Sequence, residues 1–258
     1  MTLEQSLRRA RDAGRKLLVP YVTAGVRPDW TDAVVAMAEA GADAIEIGIP
    51  FSDPVMDGPT IQEASALALA GGATPAGVLS ELAGIDAGVP LVAMTYYNLV
   101  FRAGHRRFAS DLVRGGIVGA VIPDLPLEES GAWEADAAAC GVATVLLVAP
   151  VTPDERLVRI AARSRGFVYA VALMGVTGER ADVAASAGVL ARRVRAVSDI
   201  PVLIGFGIST PAHAVTAAAD ADGVVVASAL MRRYLDGATP QELGERVAEI
   251  RRALDGAS

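Results

Sequence analysis

The sequence predicts an α/β protein: a (β/α)8 (TIM) barrel, folded as a single domain over residues 1–258. Short apolar segments rich in β-branched residues occur eight times, and Ala-rich amphipathic segments of helical length separate them. This alternation is typical of a parallel sheet covered by helices. Eight such units in 258 residues match a (β/α)8 barrel in number and length. The first strand runs into TAGVRP and not into a GxGxxG turn, which disfavours a doubly wound nucleotide-binding sheet.

Each element is predicted from its local pattern. Strands are predicted where apolar and β-branched residues run for about five or six positions, at residues 17–22, 43–48, 90–96, 118–122, 142–148, 167–172, 201–205 and 223–226. Helices are predicted at residues 29–40, 60–71, 104–115, 128–139, 153–163, 186–197 and 210–219, with a final helix at 240–254. We also expect an N-terminal helix in the charged, amphipathic first segment and a short extra helix after strand eight.

Composition and charge exclude several classes of protein. The chain has 23 basic and 30 acidic residues, and its net charge of −7 argues against nucleic-acid binding, which usually requires a basic face. Hydrophobic residues make up 52% of the chain, yet no apolar run approaches the ~18–20 residues of a membrane span. The first segment lacks the apolar core of a signal peptide, so we expect a soluble, cytoplasmic protein. Paired arginines such as Arg251 and Arg252 are interpreted as solvated helix faces.

Residues that carry reactive side chains are scarce. Cys140 is the single cysteine, which excludes an internal disulfide and a cysteine-rich metal site. His105 and His213 are far apart in the sequence and do not build a His-rich metal centre by themselves. Lys16 is the single lysine and precedes the first strand, at the end of a barrel opposite to the usual active site. Schiff-base chemistry, which requires a lysine, is therefore not expected.

Glu46 is the first candidate catalytic residue. In the segment AIEIGI (residues 44–49), alternation places the three isoleucines on one face and Glu46 on the other. The isoleucine face should pack on the helices, which leaves Glu46 inside the barrel near the C-terminal end of its strand. Active sites of such barrels form at this end. A structural glutamate paired with an arginine is the alternative interpretation.

Asp57 is the second candidate, in the long segment FSDPVMDGPT that follows the second strand. Two prolines and Gly58 restrict this loop to a few conformations, so it can place Asp57 above the barrel. The alternative is a turn-forming or helix-capping aspartate. A second irregular segment, LMGVTGERADVAAS at residues 173–186, is a candidate mobile lid.

A phosphate-binding site is predicted after the last two strands. In barrels this site is commonly built by the loops after strands seven and eight with the N-terminus of a short helix. Its candidate residues are Phe206, Gly207 and Ile208 after strand seven, Ala227 and Ser228 after strand eight, and Thr177 with Gly178 in the sixth loop. Tyr21, Met94, Tyr169 and Phe206 are candidates to line an apolar pocket for a flat aromatic ligand, with ordinary core packing as the alternative.

The block EIGIPFSDPVMDGPTIQ at residues 46–62 resembles the signature of the tryptophan synthase α subunit family. The resemblance covers nearly the whole chain. It continues in VPYVTAG, NLVF, PDLPLEES, GVTG and GFGIS, which occur in the order of the family and in the barrel positions argued above.

The resemblance implies cleavage of indole-3-glycerol phosphate into indole and glyceraldehyde 3-phosphate. Glu46 and Asp57 match the two catalytic carboxylates of the family. By the same match, Tyr21, Met94, Val121 and Tyr169 line the indole pocket, and Gly178, Phe206, Gly207, Ala227 and Ser228 belong to the phosphate loops. The resemblance also implies no cofactor in this chain, and a partner β subunit that carries pyridoxal phosphate in an α2β2 heterotetramer.

Other functions remain open from the residues alone. A stand-alone lyase that releases free indole has the same catalytic residues, and a catalytically idle barrel that acts as an allosteric subunit has the same fold. Another phosphosugar barrel enzyme, such as an isomerase, is disfavoured by the specific block at residues 46–62. Two departures from the family pattern bear on these alternatives: Ala227 replaces a usual glycine, and the segment VALMGVTG is unusually apolar before GVTG.

Overall fold

The eight strands form a closed barrel in which every strand is parallel to its neighbours and the order follows the chain. The computed structural model describes residues 1–171, 180–205 and 207–257. The strands are β1 Leu17–Thr23, β2 Ile45–Gly48, β3 Leu91–Met94, β4 Ile117–Val121, β5 Ala143–Val148, β6 Val168–Ala170, β7 Val202–Ile204 and β8 Gly223–Val226. All eight predicted strands are confirmed, and so is the (β/α)8 fold class.

The helices of the described residues surround this barrel. They are α1 Leu3–Asp12, α2 Trp30–Glu39, α3 Pro59–Ala70, α4 Pro75–Leu82, α5 Tyr97–Ala103, α6 His105–Arg114, α7 Gly131–Cys140, α8 Asp154–Arg163, α9 Arg180–Arg195, α10 Pro211–Ala218, α11 Ser228–Leu235 and α12 Pro240–Asp255. The predicted N-terminal helix is α1, and the predicted extra helix after strand eight is α11. Within the described residues, no helix is both long enough and apolar enough to cross a membrane.

Two helices, α4 and α5, were not among the predicted elements. α4 begins where Thr74 caps it, since the Gly77 amide donates to Thr74 Oγ1 at 3.1 Å and Pro75 occupies the first helical position. The third strand was predicted to reach residue 96 but ends at Met94, because Tyr96 already caps α5. The apolar segment TYYNLVF has the composition of a strand, but its residues from Tyr97 onwards form α5, in which Val100 is buried.

Two apolar cores meet at the barrel wall. Outward-facing strand residues, including Ile45 and Ile47, pack against the helices as predicted. Inward-facing residues fill the barrel together with Leu3 and Leu7 of α1, which enter it at the N-terminal end of the strands, called here the floor. The floor is narrow: a Cβ added at Gly166 would lie 2.6 Å from Leu3 Cδ2. The opposite end, called here the mouth, receives the C-terminal ends of all strands.

Arg251 corrects one expectation about the arginine pairs. It is 5% exposed and lies under the floor, not on a solvated helix face. Its Nη1 donates to the Lys16 carbonyl at 2.7 Å and to Asp43 Oδ2 at 3.3 Å. Asp43 also accepts from Arg15 Nε at 2.7 Å and from the Leu18 amide at 2.8 Å. This buried ion network joins α12 to the beginnings of β1 and β2 and offsets the cost of burying the guanidinium.

Candidate active site

Glu46 occupies the barrel interior near the mouth, as alternation predicted. Its Cα is in register with Tyr21 of β1 and with Val92 of β3, and the residue is 1% exposed. Neither carboxylate oxygen has a hydrogen-bond partner among the described residues. Burial, with the nearby charge of Asp57, raises the pKa of Glu46 to about 8. Glu46 is therefore mainly a neutral carboxylic acid at pH 7 and can donate a proton.

Asp57 lies in the loop between β2 and α3, with its carboxylate directed to the rim of the barrel. The Tyr96 hydroxyl donates to Asp57 Oδ2 at 3.0 Å. The loop is fixed locally, because the Asp57 amide donates to the Pro54 carbonyl at 3.0 Å and Gln62 Nε2 donates to the Asp57 carbonyl at 2.9 Å. Burial raises the pKa of Asp57 to about 6, and the hydrogen bond from Tyr96 opposes that rise.

The two carboxyl groups thus differ in charge at neutral pH. Glu46 holds its proton, while Asp57 has mainly lost its own. Two carboxyls with separated pKa values are the usual sign of an acid and a charge-stabilising partner in one site. The arrangement can deliver a proton to a substrate atom and stabilise the positive charge that results.

Aromatic and aliphatic side chains surround Glu46. Tyr21 is 4% exposed and Tyr169 is 7% exposed. Burial raises the pKa of both phenols, and the neighbouring carboxyl groups of Asp57 and Glu46 add to that rise. Val121 is fully buried in the barrel interior, and Met94, its register partner on β3, is half-buried. The four predicted pocket residues among the described part of the chain therefore lie on inward positions of four strands.

Two glycines leave room for the tyrosine rings. A Cβ added at Gly48 would lie 1.9 Å from the Tyr21 hydroxyl oxygen, and one added at Gly205 would lie 2.3 Å from Cε1 of Tyr169. Both distances are too short for any side chain, so each ring rests against glycine backbone near the mouth. The Tyr21 hydroxyl is also 3.2 Å from Thr23 Oγ1.

The predicted phosphate residues that the structure describes follow the ends of β7 and β8, which pair with each other. Gly207 is exposed and has φ +68°, a backbone conformation that favours glycine. Ile208 is buried beneath it. Ser228 is exposed at the first position of α11, and the N-cap residue of that helix, Ala227, has no polar side chain to cap it. Free amides at a helix N-terminus attract anions.

Ala227, where the family pattern has glycine, sits at the N-cap of α11 with φ −114°. This φ is negative, so the position does not need the left-handed conformation that favours glycine. Thr177, Gly178 and Phe206 lie outside the described residues, as do residues 173–179 of the segment predicted to be a lid.

Sequence reasoning missed Tyr96. The residue is 4% exposed and contacts the Asp57 loop through its hydroxyl and its ring. The available signal was its place at the end of strand three, on the same edge of the barrel as the loop after strand two. The sequence offered no sign that this tyrosine, and not the adjacent Tyr97, faces the carboxylate.

A polar cavity of about 460 Å³ lies at the other end of the barrel, beside the floor. Its charges are mostly satisfied within the protein: Lys16 Nζ donates to the carbonyls of Ala218 and Ala221, and Arg11 pairs with Asp199. The carboxyl group of Glu46, which has no hydrogen-bond partner in the part of the chain that the structure describes, makes the mouth, and not this cavity, the candidate active site.

Comparison with known proteins shows the family to which this chain belongs. The sequence profile described as tryptophan synthase alpha chain matches residues 7–255. The tryptophan synthase alpha chain of Streptomyces coelicolor is 46% identical over 239 residues, which cover 91% of this chain and 88% of that protein. The alpha chain of Halorhodospira halophila is 44% identical, with 98% and 96% covered.

Solved structures give the same result for the fold. A tryptophan synthase structure from Mycobacterium tuberculosis superposes with a TM-score of 0.89 at 40% identity and covers 98% of this chain and 97% of its own. The tryptophan synthase subunit alpha of Legionella pneumophila superposes with a TM-score of 0.89 at 30% identity and 99% coverage of both chains. This chain belongs to the tryptophan synthase alpha chain family, whose members are carbon–carbon lyases.

Proposed function

We propose that this chain cleaves indole-3-glycerol phosphate at the mouth of the barrel, with Glu46 and Asp57 as its catalytic residues. One observation carries the assignment of residues. A buried glutamic acid with a pKa of about 8 has no hydrogen-bond partner among residues 1–171, 180–205 and 207–257, and it lies close to an aspartate with a pKa of about 6. The reaction needs a proton donor and a carboxylate for a developing cation, and this pair supplies both.

The reaction begins with proton transfer to carbon. The neutral carboxyl group of Glu46 protonates C3 of the indole ring, and the positive charge that results is shared with N1. The Asp57 carboxylate accepts a hydrogen bond from N1–H and stabilises this cation. The low dielectric of the barrel interior strengthens that attraction.

Bond cleavage follows from the same two groups. The Glu46 carboxylate now removes the proton from the hydroxyl on the carbon attached to C3. The bond between that carbon and C3 breaks, its electrons return to the indole ring, and an aldehyde forms. Glu46 is protonated again, so the cycle leaves indole and glyceraldehyde 3-phosphate without a net change in the protein.

The remaining site residues position the two ends of the substrate. Tyr21, Met94, Val121 and Tyr169 enclose the flat indole ring, whose burial among apolar side chains favours binding. Gly207, Ile208, Ala227 and Ser228 receive the phosphate through backbone amides after β7 and at the N-terminus of α11. We propose that Thr177, Gly178 and Phe206 complete that site, as the family pattern implies.

The partner and the setting are proposed on the same basis. Every step above is a proton transfer or a charge interaction that side chains perform, so no cofactor is proposed for this chain. The solved relatives include tryptophan synthase structures from Mycobacterium tuberculosis. We propose that this chain pairs with a β subunit, as α2β2, and that pyridoxal phosphate is confined to that partner. The cytoplasm is the proposed location.

The direct test measures indole release from indole-3-glycerol phosphate by the purified chain, with and without a tryptophan synthase β subunit. We expect slow cleavage that rises strongly with β. Glu46→Gln should abolish cleavage and Asp57→Asn should lower its rate at least ~10²-fold, while both retain binding of glycerol phosphate. Rapid cleavage indifferent to β would indicate a stand-alone lyase. Cleavage by Glu46→Gln at the wild-type rate would remove Glu46 from the mechanism.

A further inference from the structure

We propose that Tyr96 is a positioning residue for this reaction: its hydroxyl group holds the Asp57 carboxylate at the mouth and keeps it ionised. The inference rests on the proposed role of Asp57. It concerns a residue outside the proposed catalytic pair and outside the proposed indole and phosphate contacts. Tyr96 makes three contacts with the loop between β2 and α3.

The hydroxyl oxygen of Tyr96 makes two of these contacts. It accepts a hydrogen bond from the Met56 amide at 3.0 Å and donates one to Asp57 Oδ2 at 3.0 Å. The Tyr96 hydroxyl group is therefore hydrogen-bonded both to the backbone just before Asp57 and to the Asp57 side chain. The hydrogen bond from the Met56 amide occupies one side of the Tyr96 hydroxyl oxygen. It therefore helps to orient the hydroxyl proton towards the Asp57 carboxylate.

The ring of Tyr96 makes the third contact. It stacks on Phe51 with ring centroids 5.0 Å apart and an interplanar angle of 22°. Phe51 stands at the beginning of the loop, and Met56 and Asp57 stand near its end. Tyr96 itself is 4% exposed and is anchored between the end of β3 and the first turn of α5. The loop thus closes around a side chain that belongs to the barrel rim.

The hydrogen bond from Tyr96 favours the ionised form of Asp57, and the other groups near Asp57 do not. The titratable groups close to Asp57 in the described residues are Glu46 on β2, Tyr21 on β1, Tyr169 on β6 and Tyr96 itself. None of these is a cation, so none offers a positive charge to the carboxylate. Burial favours the protonated form, and the donor that opposes burial is Tyr96.

Removal of the hydroxyl group separates this role from a merely structural one. Tyr96→Phe keeps the ring and its stack on Phe51 but loses the donor. Asp57 then stays half-buried without its hydrogen bond, and its pKa rises above 6. If the hydroxyl only fastened the loop, the loop would open instead, and the pKa of Asp57 would fall towards the ordinary value of an exposed aspartate. The two roles predict shifts of opposite sign.

The experiment compares Tyr96→Phe with Tyr97→Phe, a matched control at the next residue. The Tyr97 hydroxyl lies 3.0 Å from His105 Nε2, away from Asp57. The carboxyl ¹³C signal of Asp57, assigned by its loss in Asp57→Asn, is titrated in both variants and in the wild type. The pH dependence of kcat/KM for indole-3-glycerol phosphate is measured in parallel, with kcat and KM determined separately.

We expect the Asp57 titration and the acid limb of kcat/KM to move up together by about one pH unit in Tyr96→Phe. Below pH 6, kcat/KM of Tyr96→Phe should be about tenfold lower than that of the wild type. The loss should come mainly from kcat, because the negative charge of Asp57 stabilises the cation formed during the reaction. Tyr97→Phe should titrate as the wild type does. An unchanged or lowered pKa in Tyr96→Phe, or an equal shift in Tyr97→Phe, would overturn the proposal.

The two readouts also separate this inference from the function on which it rests. If the wild type does not cleave the substrate, the proposed function fails, while the ¹³C titration still measures the effect of Tyr96 on Asp57. If the wild type cleaves the substrate and the pKa of Asp57 is the same in Tyr96→Phe as in the wild type, only the positioning role of Tyr96 is wrong.

Discussion

At the scale of single residues, the two carboxyl groups of the site differ in their surroundings: among the described residues, Glu46 has no hydrogen-bond partner and Asp57 has one. Glu46 is buried in the barrel near Tyr21 and Tyr169, where an ionised carboxylate is poorly solvated. Asp57 is less buried and receives a hydrogen bond, so its charge survives. The environment of each group, and not its residue type, therefore decides which is the acid and which is the anion.

A first prediction concerns the cost of this arrangement for stability. The folded-state pKa of Glu46, about 8, is raised above its ordinary value of 4.5. The stability that comes with its protonated form is therefore present at low pH and is lost as the pH rises through 8. Glu46→Gln should leave the free energy of unfolding nearly unchanged at pH 4.5 and raise it by about 5 kcal/mol at pH 9.

Urea unfolding of both proteins at several pH values between 4.5 and 9 measures this difference. Asp57→Asn serves as the control, because its smaller shift should give a smaller gain, complete by about pH 7. A stabilisation by Glu46→Gln that does not depend on pH would mean that the glutamate is not buried as a neutral acid.

The residue scale also shows what sequence can and cannot predict. Alternation in the second strand was enough to place Glu46 inside the barrel, because a strand turns successive side chains to opposite faces. Asp57 required the family resemblance, since a loop aspartate between prolines is also a common turn residue. Tyr96 was not predicted, because its contact depends on how one loop folds back onto the end of the next strand.

At the scale of elements, helix α11 is held at its far end so that its N-terminus faces the mouth. Arg27 Nη1 donates to the carbonyls of Tyr234 and Ala238 at 3.2 and 2.9 Å, which satisfies the end of the helix. The Tyr234 hydroxyl donates to Asp29 Oδ1 at 2.6 Å. These contacts join the loop after β1 to α11, so the proposed phosphate amides are fixed by residues that do not touch the phosphate.

A prediction at this scale tests the phosphate loops. Gly207→Ala should weaken the binding of glycerol phosphate about tenfold, because an alanine at φ +68° is strained and the loop amides shift. Gly116→Ala is the matched control, with φ +78° and, like Gly207, open space around an added Cβ, but on the floor side of β4. Isothermal titration calorimetry gives both affinities. Equal affinities in the two variants would place the phosphate elsewhere.

Elements were predictable where a strong periodic pattern coincided with burial. The β-branched segments predicted all eight strands, although several strands begin or end one or two residues away from the predicted positions. α5 was missed because Tyr, Val and Phe favour strands locally. Burial of Val100 in the core and packing of α5 against α6 outweigh that preference. α4 carried a readable signal in Thr74-Pro75, a cap followed by proline at the first helical position.

At the scale of the whole molecule, apolar side chains and a buried ion network close the floor of the barrel. Leu3 and Leu7 of α1 fill the floor, and the buried ion network of Asp43 and Arg251 ties α12 beneath it. Count and length of the strand–helix units predicted the barrel, because few other folds accommodate eight such units. The network was not predictable, since it joins residues about 200 positions apart in the sequence.

The last prediction tests whether the chain unfolds as the single domain proposed for residues 1–258. Leu3→Ala should lower the free energy of unfolding by about 2–4 kcal/mol, because it opens a cavity in a fully buried position. The transition should remain single and kcat should not change, since Leu3 lies at the end remote from Glu46. Val197→Ala, at a residue 46% exposed, is the control and should shift stability by less than about 0.5 kcal/mol. Two transitions in urea would contradict a single domain.

The pairing of β1 with β8 has a consequence for synthesis of the chain. Leu17 of β1 is in register with Gly223 of β8, so the first strand acquires its second neighbour only when most of the chain has left the ribosome. Until then the growing sheet has an open edge at β1 and another at its newest strand, and open edges favour association between chains. Nascent or truncated chains that end before residue 223 are therefore the species we expect to aggregate, and chaperones that cover strand edges should bind them in preference to the finished barrel.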